Sequence, residues 1–125
     1  MLSNTSILPH VNETPTSFAD RLGVYYSSHS KQSDKKEKGQ FFTPTEIAIL
    51  MGSFVNFSGK ALRILDPGCG TAILTCALIE HLVKNKNLKV IELVVYETDL
   101  NLIPFTKLSL QFLNEWLQSR KVDLN

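Results

Sequence analysis

The stretch Asp66-Pro67-Gly68-Cys69-Gly70-Thr71 constrains this chain more than any other. It joins a short apolar run, residues 61–65, to a segment in which Ile73, Leu74, Ala77, Leu78 and Leu82 recur at three- and four-residue intervals. The first reads as a strand and the second as a helix over about 71–84. A polar turn at 84–87 leads into a second apolar run, 89–97. A further helix is predicted over about 100–118, with Leu102, Phe105, Leu108, Phe112, Leu113 and Trp116 on one side. Strand, helix, strand, helix at this spacing predicts a parallel sheet with right-handed crossovers. The near-continuous Leu and Ile of 61–65 predict a strand buried on both faces. Two parallel strands do not complete a domain. The expected fold class is therefore α/β, an incomplete doubly wound parallel sheet that stops after its second helix and is preceded by helices.

Upstream, residues 1–15 are polar, contain Pro9 and Pro15, and read as a loosely ordered arm. Thr16 or Ser17 is a candidate cap for a short helix through Phe18, Ala19, Leu22 and Tyr25 or Tyr26. Residues 27–38 form a polar linker ending in the charge run Asp34-Lys35-Lys36-Glu37-Lys38, a solvated hinge more readily than a phosphate contact. Thr43, Pro44 and Glu46 have capping-box spacing, with Pro44 at the first helical position. Ile47, Leu50, Met51, Phe54 and Val55 then predict an amphipathic helix ending near Asn56. Two units follow: an arm, short helix and linker over 1–38, and a partial ligand-binding domain over 39–125.

With 125 residues, 43% of them hydrophobic and 20% charged, the chain can bury one core and no more. The net charge of +1 gives no general attraction for nucleic acid, so any such partner must be held by local patches or by other polypeptide. No apolar stretch approaches a membrane span and the N-terminus lacks a secretory pattern, so the expected compartment is the cytoplasm. Cys69 and Cys76 lie seven residues apart, about 10.5 Å along a helix and beyond disulfide reach, and no matching His or Cys pair suggests a zinc site. Both read as reduced thiols.

Chemistry concentrates at the ends of the two strands. Ligands of open α/β sheets bind outside the carboxyl ends of their strands. Asp66 stands at one such end and Glu97 at the other. Gly68 and Gly70 let backbone approach a ligand closely, and the following helix turns its N-terminal amides toward the same crevice. A carboxylate such as Glu97 can accept from both hydroxyls of a ribose. A dinucleotide site would carry a third glycine where Ile73 stands, and would place its acid about 20 residues on, nearer than Glu97. An acid at Asp66 would repel a pyrophosphate but suits a cationic amino group. S-adenosylmethionine meets that requirement.

Asp66-Pro67-Gly68-Cys69-Gly70-Thr71 resembles the Asp-Pro-x-x-Gly-[Ser/Thr] loop of N6-adenine DNA methyltransferases of restriction-modification systems, the type I modification subunits and fused type II enzymes. Gly39-Gln40-Phe41-Phe42-Thr43-Pro44 is similar to their Gly-x-[Phe/Tyr]-[Phe/Tyr]-Thr-Pro segment, and Glu97-Thr98-Asp99 to their Glu-x-Asp. The resemblance runs from about Leu22 to Leu113. It implies a Rossmann-like class I methyltransferase fold with S-adenosylmethionine as cofactor. Phe42, Thr43 and Phe41 would line its methionine end, Asp66 would meet its amino group, and Gly68, Cys69 and Gly70 would pass beneath it. Glu97 would hold the ribose, Thr98 would flank the adenine, and Asp99 would cap the next helix. Ala72 replaces a glycine frequent in the family, a change expected to do little harm at a helix start.

The family's catalytic [Asn/Asp/Ser]-Pro-Pro-[Tyr/Phe] loop has no counterpart among Pro9, Pro15, Pro44, Pro67 and Pro104. The resemblance thus implies the cofactor-binding part of an enzyme that flips adenine out of double-stranded DNA, with catalytic loop and target-recognition domain absent from this chain. A specificity or restriction subunit is a candidate partner. A class I methyltransferase fragment acting on RNA, protein or a small molecule, or a non-catalytic nucleotide-binding module, remains the alternative. His10, His29 and His81 lack the context of a catalytic or metal site. Phe105, Phe112 and Trp116 read as a core stripe, part of it exposed by the unfinished sheet, which predicts self-association.

Overall fold

The computed structural model describes residues 7–30 and 42–125. Among these described residues four helices and three strands follow in the order α1 (Pro15–Ser28), α2 (Thr45–Ser53), β1 (Ala61–Asp66), α3 (Ile73–Leu82), β2 (Val90–Val95), α4 (Ile103–Gln118) and β3 (Asp123–Leu124). The strands form one parallel sheet ordered β1-β2-β3, in the register Leu62↔Ile91, Ile64↔Leu93 and Val90↔Asp123. The third strand corrects the two-strand expectation. With only two residues it has no period to read.

Both crossovers step in the same direction along the sheet, so right-handedness puts α3 and α4 on one face. Leu62, Ile64 and Ile91 point into that face and pack with Ile79, Leu82, Leu88, Leu113 and Leu117. Alternate residues of β1 are exposed, Leu65 by 64%, so this strand is not buried on both faces as its composition suggested. Described residues cover one side of it only.

α1 lies over α3 and α4. Its cap is Thr14 rather than Thr16 or Ser17, and the Thr14 side chain accepts from Ser17 N at 3.1 Å. Phe18, Leu22 and Tyr26 enter a second core with Leu102 and Phe105, and Phe18 meets Phe112 edge to face with centroids 5.4 Å apart. The aromatic stripe of α4 is thus core, as its spacing predicts. The described part of the N-terminal arm is tied down. Arg21 donates to Glu13 and to the Leu8 carbonyl, and its bonds to Glu13, with one from the His10 amide, hold the Glu13 carboxyl below its ordinary range.

α2 reverses its sequence reading. Ile47, Leu50, Met51, Phe54 and Val55, the stripe that looked like its buried side, are exposed, while Ala48 and Gly52 are buried. A Cβ at Gly52 would lie 3.1 Å from backbone atoms of Ala77 and Leu78. Two small residues let α2 sit directly on α3, and no larger side chain fits between them. The N-cap is Pro44, not Thr43, and no side chain caps the helix.

α3 begins at Ile73 because Gly70 and Ala72 both have left-handed backbone, φ +56° and +67°. Ala72 is the N-cap and is fully buried. Glycine takes this conformation without the clash that a Cβ brings, so the alanine is a strained substitute rather than a helix-favouring one, contrary to the sequence reading. Strain relief in Ala72→Gly is opposed by loss of a buried methyl worth about 0.8 kcal/mol. Urea unfolding should therefore place Ala72→Gly within about 1 kcal/mol of the parent, whereas β-branched Ala72→Val should lose more than about 2 kcal/mol. Gly52→Leu, despite better helix propensity, should cost about 1–3 kcal/mol in the same measurement by forcing α2 off α3.

Candidate functional site

A cavity of about 730 Å³ opens at the carboxyl ends of β1 and β2, within the size range of small-ligand sites. Three backbone stretches build it. The 66–72 loop leaves β1 and is tied to the end of β2 by Cys69 N donating to Tyr96 O at 3.0 Å, while Tyr96 N donates to Asp66 O at 2.9 Å. The 97–102 turn forms a second wall and Phe42 with Thr43 a third.

Glu97 joins the first two walls. Its Oε1 accepts from Gly70 N and its Oε2 from Asp99 N, both at 2.9 Å. Thr106, from the first turns of α4, donates to the Gly70 carbonyl at 2.5 Å. Thr71 donates to the Ala19 carbonyl of α1 at 2.8 Å. The glycine loop is thus held from β2, α4 and α1 together. Thr106 and Thr71 carry no signal in the sequence that would single them out, since their partners are 36 and 52 residues away.

Phe42 is seated on bare backbone. A Cβ at Gly23 of α1 or at Gly70 would come within 3.4 Å of its ring, and Tyr26 approaches it edge-on at 6.1 Å. Gly23 had no role in the sequence reading. Gly68 is different: a Cβ there would meet nothing within 4 Å, although the residue lines the cavity. Its lack of a side chain serves no packing need of this fold.

Of the residues singled out from sequence, Phe42, Thr43, Gly68, Cys69, Gly70, Glu97 and Thr98 line this one cavity. Asp66 stands at the end of β1, half-buried and outside the lining, where its Oδ2 accepts from Thr75 at 2.7 Å. Phe41 lies outside the described residues, as do Gly39, Gln40 and the charge run at 34–38. Asp99 caps no helix: α4 starts four residues later, and Asp99 is buried, accepting from Asn101 N at 3.0 Å and from the Tyr26 hydroxyl.

The electrostatics are one-sided. Glu97 and Asp99 are in the lining, and no Lys or Arg is among the described lining residues. Burial, with the nearby charges of Asp66 and Glu97, pushes the Cys69 thiol up to about 11, so it is protonated at neutral pH and no nucleophile. Cys76, buried between α3 and α4 beside Ser109, is pushed up to about 12 by the same desolvation. The site can hold a ligand of cationic or hydroxyl-rich character. Its described lining offers no activated nucleophile and no cation for a phosphate.

Comparison with known proteins gives a family match over the same part of the chain. The N-6 DNA Methylase family matches residues 20–117, which takes in the glycine loop, Phe42 and Glu97. Type II methyltransferase M.BsuBI of Bacillus subtilis is 33% identical over 88 residues, 68% of this chain and 17% of that protein. The matched stretch spans about a sixth of that relative's length. No solved structure matches it. With most of its length matched, glycine loop and crevice included, the chain belongs to the N-6 DNA methylase family.

Proposed function

We propose that this chain supplies the S-adenosylmethionine-binding part of a DNA adenine-N6 methyltransferase of a restriction-modification system, working in the cytoplasm. The observation that carries this reading is the acidic, glycine-floored cavity: Gly68 leaves space that the described residues do not use, and the charged groups of the described lining are carboxylates. The methyl donor is a nucleoside with a sulfonium and an ammonium, both cationic. A dinucleotide would bring a pyrophosphate to the same carboxylates.

The residues present fit the donor. Glu97 spends one acceptor site per oxygen on backbone amides, and a carboxylate has about four lone-pair sites, so acceptor capacity remains for ribose hydroxyls. Asp66 likewise keeps capacity beyond its bond from Thr75 and would meet the amino group. Phe42 and Thr43, joined by Phe41, would wall the methionine end, Gly68, Cys69 and Gly70 would underlie it, and Thr98 would flank the adenine. When bound, the cofactor supplies the activated methyl group. The chain's own residues hold and orient it, and the fixed loop minimises reorganisation on binding. Gripping the target amino group and reading the DNA sequence belong to the rest of the enzyme, with double-stranded DNA as its substrate and a specificity or restriction subunit as its partner. No described helix is long and apolar enough to cross a membrane.

Calorimetric titration with S-adenosylmethionine should give saturable binding, and NAD should give none. Gly68→Val should lower affinity for the donor at least tenfold with unchanged urea stability, since the added side chain meets only open space. Donor affinity unaffected by Gly68→Val, or preferential binding of NAD, would sink the reading.

A further inference from the structure

A second cavity, of about 370 Å³, lies at the amino ends of β2 and β3. It is framed by the turn that joins α3 to β2 and by the end of α4 with the residues leading to β3. The crevice is at the other end of β2, about 17 Å away along the strand, and the two share no described lining residue. Their charge is opposite. Lys84, Lys86, Lys89 and Arg120, all exposed, line the second cavity, and none forms an ion pair with another described residue. The one acid of its described lining, Glu80, is engaged by α1: its carboxylate accepts from the Thr16 amide at 2.8 Å and from the Thr16 hydroxyl.

Arg120 is held ready for a ligand. Its guanidinium carbon lies 3.6 Å from the centre of the Trp116 ring, and Nη1 donates to the Trp116 carbonyl at 3.3 Å and to the Ser119 hydroxyl at 3.2 Å. Nε and Nη2 have no partner among the described residues. That edge of a guanidinium meets two oxygens of a phosphate or carboxylate side by side. Stacking fixes the side chain beforehand, so little rotamer freedom is left to lose on binding. The three lysines add compact charges from the facing turn, and fork and ammonium groups together suit phosphate, whose charge is spread over several oxygens. Cations beside helix C-termini are favoured by the dipole alone, which accounts for Lys84 and Arg120 singly. It accounts neither for Lys86 and Lys89 nor for four cations converging on one cavity.

We propose that this cavity binds a phosphate group, gripped at two oxygens by the Nε–Nη2 edge of Arg120 and neutralised by Lys84, Lys86 and Lys89. The volume, at the low end of small-ligand sites, leaves room for part of whatever carries the phosphate. A phosphorylated small molecule and the backbone of a nucleic acid present the same oxygens. With a net charge of only +1 on the whole chain, attraction for either comes from this cluster and not from the molecule at large. The site makes no use of the methyl-donor assignment and can stand without it.

Trp116 is the chain's one tryptophan, so its fluorescence reports from the wall of this cavity, while calorimetry gives the affinity. Inorganic pyrophosphate and a short DNA duplex are titrated separately into the full chain at low salt. At least one should bind saturably and change the Trp116 emission. Arg120→Gln and Arg120→Lys, at an exposed position that leaves the chain folded by circular dichroism, should each weaken binding by about tenfold, the second because it keeps the charge and loses the fork. Lys107→Gln, an exposed cation elsewhere on α4, and Gly68→Val, in the crevice, should leave the affinity unchanged. Pyrophosphate binding that the duplex does not exceed identifies a small phosphorylated ligand. A duplex that binds more tightly, with affinity falling steeply as salt rises, identifies nucleic-acid backbone. No saturable binding of either probe overturns the proposal, as does binding that survives both Arg120 substitutions or falls equally with Lys107→Gln.

Discussion

One carboxylate holds the site together. Glu97 sits where β2 gives way to the 97–102 turn and spends both oxygens on backbone amides, one in the glycine loop and one in its own turn. Charge-assisted bonds to amides are about twice as strong as neutral ones. They also fix the loop relative to the second strand, so the cavity width follows from the β1–β2 register. The same residue serves as structural clamp and candidate ligand acceptor. Its removal would thus blur both roles, which is why Gly68 is the cleaner probe.

Around that clamp, threonines do the fine positioning. Thr71, Thr75 and Thr106 are each nearly fully buried, and each hydroxyl reaches a different partner: the α1 backbone, the Asp66 carboxylate and the Gly70 carbonyl. Buried hydroxyls without partners would be costly, and these three convert that requirement into orientation of the loop. The second core under α1 adds the outer wall, since Tyr26 bonds Asp99 and abuts Phe42.

Much of this was legible in the sequence because its signals are local. The strand-loop-helix unit announces itself through period and glycine spacing, and seven of the nine residues picked for the crevice lie in its lining. What could not be read depends on partners far along the chain. The side α2 buries is chosen by Ala48 and Gly52, whose small size carries no hydrophobic signal, so the apolar stripe pointed the wrong way. The strain at Ala72 is invisible until the backbone conformation is known. β1 looked fully buried because its composition suits a central strand, yet one of its faces is bare.

The contact of α2 with α3 through Gly52 has a mechanical side. Side chains between helices act as a compliant layer that can repack, and here that layer is missing: the virtual Cβ of Gly52 already crowds the Ala77 carbonyl. α2 therefore rests on hard backbone and moves as a rigid bar or not at all. Its first residue is three positions beyond Phe42, and Thr45 in its first turn is anchored to Asp20 of α1 at 2.5 Å. A load on the far end of the bar reaches the cavity wall undamped. Any effect of a contact at α2 on ligand affinity would, by thermodynamic reciprocity, be matched by an equal effect of the ligand on that contact.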